Sequence, residues 1–274
     1  AGSAGFGDFT ALRLLAEQAA ERGAAAVAVS PVHAMFSADP GRYSPYAPSS
    51  RLFLNALYAD PAALFGPQAL AAVSAQGLGD ELSRLAGLSL IDWPAAGRAK
   101  LAVLRALFDD FPRNAPPRVH EDFQAFEREG GEPLRSHARF EAIHAWRVAQ
   151  TQDRSGWRHW PAAFRSPASP EVARFAAQHE REVSFHVFLQ WLAARGLGDV
   201  QTAARRAGMP VGLISDLAVG TDPSGSHAWT RQEEVLARLS PGAPPDIFNA
   251  RGQVWGLTAF LPRALAANGY RAFI

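Results

Sequence analysis

Two short apolar runs rich in β-branched residues, Ala25 to Val29 and Val211 to Val219, read as buried strands, and the long stretch between them carries mainly helical and loop signals. Strands so far apart, with helices between them, pair as parallel neighbours, because a parallel pair needs a long crossover whereas an antiparallel pair closes through a turn. The chain predicts an α/β protein built on a parallel sheet, either a barrel or a doubly wound fold.

Around these strands the punctuation is clear. Asp8 can cap a helix whose apolar positions Phe9, Leu12, Leu15, Ala16 and Ala19 recur at helical spacing until Gly23 stops it. Pro31 to Pro61 is loop-like, with one extended stretch at Leu52 to Tyr58. Loops longer than about 12 residues in a compact domain are usually functional or disordered, and the tyrosines and phenylalanines here favour function. From Pro61 to Gly208 helical periodicity dominates, at Ala99–Phe111, Glu121–Glu129, Pro133–Thr151 and Pro170–Arg195, the last stopped by Gly196 and Gly198. Loop and short helices follow the second strand as far as Ile274. A complete (β/α)₈ barrel takes about 250 residues, yet only three strands can be counted, so the barrel reads as incomplete. The opening Ala1-Gly2-Ser3, without an initiator Met or a signal sequence, reads the same way.

Composition removes several classes of function. With 27 Lys plus Arg against 26 Asp plus Glu, the formal charge of +1 supplies no field for a polyanion, so no nucleic-acid partner is expected. The absence of Cys excludes disulfides and thiolate metal sites, and no run reaches the ~18 apolar residues of a membrane span. Gly2 to Gly7 lacks the G-x-G-x-x-G spacing and a preceding strand. His179-Glu180 is followed by Val183 where a zincin needs its second His. Ser224-Gly225-Ser226-His227 lacks the G-x-S-x-G elbow of a nucleophile. Neither metal nor nucleotide cofactor is expected.

Three features carry chemistry. Tyr46, between Pro45 and Ala47 in the loop after the first strand, offers a rigid ring with one polar handle, suited to a sugar face or to plugging a barrel mouth. The Pro- and Gly-punctuated segment from Asp246 through Gln253 to Trp255 can close over a site, or Trp255 can be a core residue. Asp216, in the second apolar run, is costly to bury unpaired. It therefore meets donors or lies at the strand's C-terminal end facing a cleft.

Together these segments resemble the amylomaltases, the bacterial 4-alpha-glucanotransferases also called disproportionating enzymes. The matching stretches are Gly5-Phe6-Gly7-Asp8-Phe9, Ser30 to His33, Ser44 to Arg51, Phe53-Leu54-Asn55 with Tyr58 and Asp60, Leu189-Gln190-Trp191, Gly212 to Gly220, and Gly242 to Asp246 with Gly252 to Gly256. Their order and approximate spacing agree from end to end, although Ser30 stands where an Asn is expected.

The resemblance implies an incomplete (β/α)₈ TIM barrel of the alpha-amylase superfamily with a large helical insertion. Residues 1–60 would hold the first β/α units and the substrate loop, 61–208 the mainly helical insertion, and 209–274 the third barrel strand and a cleft-covering loop. The implied reaction is retaining double displacement on a maltodextrin or other 1,4-alpha-glucan in the cytoplasm. It needs two carboxyl groups about 5 to 5.5 Å apart. In the family the nucleophilic Asp lies within an Arg-Ile-Asp-His type motif and the acid/base Glu further on, both of which would lie beyond residue 274, so the chain alone is expected to be inactive. By motif match Tyr46 is the sugar platform, Asp216 shapes the same subsite, and Asp246, Gln253 and Trp255 belong to the flexible loop. Ser44 is a further expected contact, with Asn55 and His33 as supports. A non-catalytic glucan-binding module and an alpha-amylase-type hydrolase are the alternatives; the sequence gives no oligomeric state.

Overall fold

The computed structural model describes residues 5–60, 62, 65–66, 77–237 and 239–273. The start of the glycine-rich opening, most of the stretch from Pro61 to residue 76, and Ile274 lie outside them.

Helix α1 (Phe9–Glu21) begins where Asp8 Oδ1 accepts the Ala11 N–H at 2.8 Å. It ends in a left-handed turn: Gly23 has φ 83°, and the N–H groups of Gly23 and Ala24 donate to the carbonyls of Ala20 and Ala19. The chain then enters β1 (Ala26–Val29), which pairs in parallel with β4 (Gly212–Ser215), Ala26 opposite Gly212 and Val29 opposite Ser215. The expected strand Val211–Val219 is thus only four residues long.

The expected stretch Leu52–Tyr58 does not join this sheet. Strand β3 (Ser50–Leu54) pairs antiparallel with β2 (His33–Ala34), His33 facing Leu54 and Ala34 facing Ser50. At Asn55 the side-chain oxygen accepts the Leu57 N–H at 3.1 Å and turns the chain into a 3₁₀ turn, Ala56–Tyr58, so a local side-chain bond ends the strand. Parallel pairing of three successive strands is therefore corrected to one parallel pair beside an antiparallel one.

Among the described residues five longer α-helices follow: α2 (Leu78–Ala86), α3 (Trp93–Asn114), α4 (Pro117–Thr151), α5 (Pro170–Gln178) and α6 (Glu180–Arg206). Helix α4 breaks at Gly131 (φ 50°, ψ −145°), two residues before Pro133, which can neither donate an N–H nor tolerate a helical neighbour before it. Helix α6 runs through Gly196 and Gly198 rather than stopping at them. Gly196 is where α1 crosses, with the buried Phe9 against its backbone.

Two aromatic-rich clusters form the middle of the molecule, one on Phe36, Phe140, Trp160 and Trp229, the other on Leu104, Phe111, Phe188 and Trp191. Two of the buried indoles are satisfied: Trp229 Nε1 donates to Phe164 O at 2.9 Å and Trp191 Nε1 to Asp122 Oδ2 at 2.8 Å.

After α7 (Ser226–Thr230) the chain forms β5 (Val235–Leu236), β6 (Gly242–Ala243), β7 (Gln253–Val254), β8 (Ala259–Phe260) and α8 (Pro262–Ala267). The β6–β7 hairpin is nested inside the antiparallel β5–β8 pair. Only loop and short helices were expected here, because two-residue strands are too short to show alternation. Among the described residues no helix is long and apolar enough to cross a membrane.

Candidate functional site

The loop between β2 and β3 is fastened at both ends and exposed in the middle. At its start Ser37 donates its N–H (3.1 Å) and its hydroxyl (2.5 Å) to Glu141 Oε2 on α4. Asp39 pairs with Arg154, and Arg42 forms an ion pair with Asp222 while lying over the Phe36 ring. At its end Pro48 O accepts the Asp222 N–H, Ser49 O accepts the His227 N–H, and Ser49 Oγ accepts the Ser226 N–H at 2.9 Å. Between these pins Tyr43, Ser44 and Tyr46 are exposed, Tyr46 by 54%. Tyr43 stacks on Trp93 with centroids 5.3 Å apart.

Asp216 lies one residue past β4, its N–H donating to Val29 O at 3.2 Å, and its side chain is exposed. Of the two readings left open, it takes the position at the strand's C-terminal end. His33 is close: burial and Arg51 depress its basicity, and the Asp216 charge partly offsets them. His33 Nε2 accepts the Ala218 N–H at 3.3 Å, which requires the neutral ring with its proton on Nδ1. Asn55 is buried and caps the 3₁₀ turn Ala56–Tyr58.

The remaining expected residues sit on the β6–β7 hairpin. Asp246 Oδ1 accepts the N–H groups of Phe248 (2.8 Å) and Asn249 (2.6 Å), an Asx turn that shapes the tip. Gln253 Oε1 accepts Trp255 Nε1 at 3.0 Å. Trp255 is 44% exposed, and Ile247 and Phe248 at the tip are almost wholly exposed.

Backbone contacts join these segments. The 42–49 loop is bound to residues 222–227 as described, and the Thr258 N–H donates to Thr221 O at 2.8 Å beside a Thr221–Thr258 hydroxyl pair at 2.9 Å. Among the described residues no hydrogen bond or ring contact joins the side chains of Tyr46, Asp216 and Trp255 to one another.

Sequence reading missed the groups that hold this arrangement. Arg51 is buried, donates to the carbonyls of Ala218 (2.7 Å) and Val219 (3.2 Å), and lies over the rings of Phe260 and Phe273. His137 and Glu141, one turn apart on α4, are also buried; His137 Nδ1 meets Ser226 Oγ at 2.8 Å. Burial holds His137 down to about 3 and pushes Glu141 up to about 7. Ser226 thus pairs with a distant His rather than with adjacent His227, and both members are too deep to meet a substrate. The available signal was a His and a Glu at i and i+4 on an apolar helix stripe that includes Leu134 and Ala138.

An exposed aromatic loop and a carboxylate at a strand end, on an α/β frame, make up the candidate site. The 4-alpha-glucanotransferase family profile matches residues 1–274. The 4-alpha-glucanotransferase of Mycobacterium tuberculosis H37Rv is 36% identical over 280 residues, covering 98% of this chain and 37% of that protein. The Haemophilus influenzae 4-alpha-glucanotransferase is 30% identical over 283 residues, covering 98% of this chain and 40% of that protein. The crystal structure of amylomaltase from Corynebacterium glutamicum superposes with TM-score 0.79 at 28% identity, over 98% of this chain and 36% of the other. Amylomaltase from Streptococcus agalactiae in complex with acarbose shares the fold, with TM-score 0.77 at 17% identity over 98% of this chain and 52% of the other. The chain belongs to the 4-alpha-glucanotransferase family, and it spans 37 to 40% of the length of these curated relatives.

Proposed function

We propose that this chain supplies the glucan-holding part of a 4-alpha-glucanotransferase that moves 1,4-linked segments between oligosaccharides by retaining double displacement. In this reading β1 and β4 are neighbouring strands of a (β/α)₈ barrel. Residues 1–60 carry the substrate loop, 61–208 the helical insertion, and 209–274 a further strand and the cover of the cleft.

The observation that carries the reading is the loop pinned at Ser37 and Ser49 with Tyr46 exposed between them, bound to the segment that follows Asp216. A platform held before the sugar arrives loses little entropy on binding. Tyr46 presents a ring to the apolar face of a glucosyl unit, and Asp216 and Ser44 accept its hydroxyls. His33 and Asn55 support them. The hairpin bearing Asp246, Gln253 and Trp255 closes from above. Its exposed apolar tip favours transfer over hydrolysis, since water and a held acceptor compete for one glycosyl-enzyme intermediate.

The test is disproportionation of maltotriose by the protein carrying these residues. Glucose and longer maltodextrins are expected, with Tyr46→Ala and Asp216→Ala each lowering kcat/KM at least about tenfold. Wild-type kcat/KM in both variants would refute the site; no product from the parent protein would refute the activity.

A further inference from the structure

We propose that Glu141 is a positioning residue for glucan binding: from the buried face of α4, its carboxylate holds the start of the Tyr46 loop through Ser37. The inference rests on the reading of Tyr46 as a sugar platform.

Ser37 gives Glu141 Oε2 both of its donors, and two bonds from one residue fix its orientation as well as its place. At the other end of the loop the Ser49 hydroxyl accepts the Ser226 N–H and donates to the Ser226 hydroxyl. Ser226 in turn meets His137, one helical turn before Glu141. The two ends of the loop therefore converge on one turn of α4, and the intervening residues project from that neck as a closed excursion. Glu141 Oε1 has no hydrogen-bond partner among the described protein atoms. The carboxyl group thus uses one oxygen for the loop and spends the desolvation of the other, an arrangement whose evident return is the geometry of the loop. Asp39–Arg154 and Arg42–Asp222 pin the excursion farther out, at the partly exposed surface, where ion pairs hold more weakly.

The experiment combines amide hydrogen exchange with steady-state kinetics in the protein carrying these residues. Glu141→Ala is expected to speed exchange of the amides at residues 38–47 about tenfold relative to the rest of the chain. KM for maltotriose should rise severalfold with kcat within about twofold, because the effect is on binding. Glu141→Gln keeps an acceptor for Ser37 and is expected to restore both readouts. If Glu141→Ala fails to fold, Ser37→Ala, which removes only the hydroxyl donor, is expected to give the same pattern in smaller measure. Unchanged loop exchange, or an increase spread evenly over the chain, would overturn the clamp, as would kcat falling with KM unchanged. Should the loop loosen while Tyr46→Ala leaves KM as in the parent, the clamp stands as a structural device and the reading of Tyr46 falls.

Discussion

The Phe9 side chain occupies the space that a side chain at Gly196 would need: a Cβ there would lie 2.9 Å from Phe9 Cδ2 and 3.3 Å from its Cβ. The contact joins α1 to α6 in a cluster with Ala16, Ala193 and Val200. Alanine gains about 1 kcal/mol over glycine in a helix interior, and overpacking a buried ring costs about 1 to 3 kcal/mol. Gly196→Ala is therefore expected to destabilise. Gly198, exposed with nothing within 4 Å of its would-be Cβ, lacks the clash, so Gly198→Ala is expected to stabilise by about 0.5 to 1 kcal/mol. Urea unfolding of the two variants reads the opposite signs; the same sign in both would show that Phe9 yields freely.

Acid should unfold this protein earlier than its near-neutral charge suggests. Burial holds His137, His186 and His227 at about 3 and His144 at about 4, against 6.5 when unfolded. Each contributes stability that is present above pH 6.5 and lost as the pH falls toward the folded value. Glu141 acts oppositely: raised to about 7, it contributes stability below pH 4.5 that is lost as the pH rises through 7. Between pH 6.5 and 4.5 the unfolded state approaches a net excess of three protons, so stability falls with acidification by up to about 4 kcal/mol per pH unit. Urea midpoints at pH 6.5 and pH 5 check this; equal midpoints would contradict it.

The β6–β7 hairpin can be perturbed without touching the core. A Cβ on Gly242 would collide with Gln253 O, and Gly252 combines φ 69° with a would-be Cβ 2.7 Å from Ala243 O. Gly242→Ala is expected to break the Ala243–Gln253 register and displace Trp255. Global stability should change by less than about 1 kcal/mol, because the tip is exposed. Hydrolysis of maltotriose should rise severalfold relative to transfer, measured as the ratio of glucose to maltotetraose and longer products. An unaltered ratio would separate the hairpin from acceptor choice.

Asp216 and His33 make a smaller electrostatic pair. Because the Asp216 charge raises the imidazole pKa against burial and Arg51, Asp216→Asn should lower it further, visible in the pH titration of the His33 ring by NMR. A rise, or no change, would place the two groups farther apart than the fold has them.

Local chemistry was legible in the sequence wherever one residue type decides a backbone state. Asp8 capped its helix, Gly23 closed it, and Gly131 with Pro133 broke α4 between the two helical readings. Gly196 misled, because a glycine admitted for close packing has the same letter as one that ends a helix. Of the candidate site, the exposed residues Ser44, Tyr46, Asp216 and Trp255 were found by motif. Glu141, His137 and Arg51 were not, since their importance lies in burial and in partners about 90 to 170 residues away. Their bonds exist only once α4 and the 218–227 segment are in place. Strand pairing was misjudged for the same reason: period and propensity mark Ser50–Leu54 as extended but do not say which edge it meets.

The pairing of Ala26 with Gly212 also orders events in time. A ribosome releases position 212 long after position 26, and until then β1 has no partner at that edge. A parallel pair that joins residues so far apart can close only after position 212 has been made, and it adds to the contact order that slows folding.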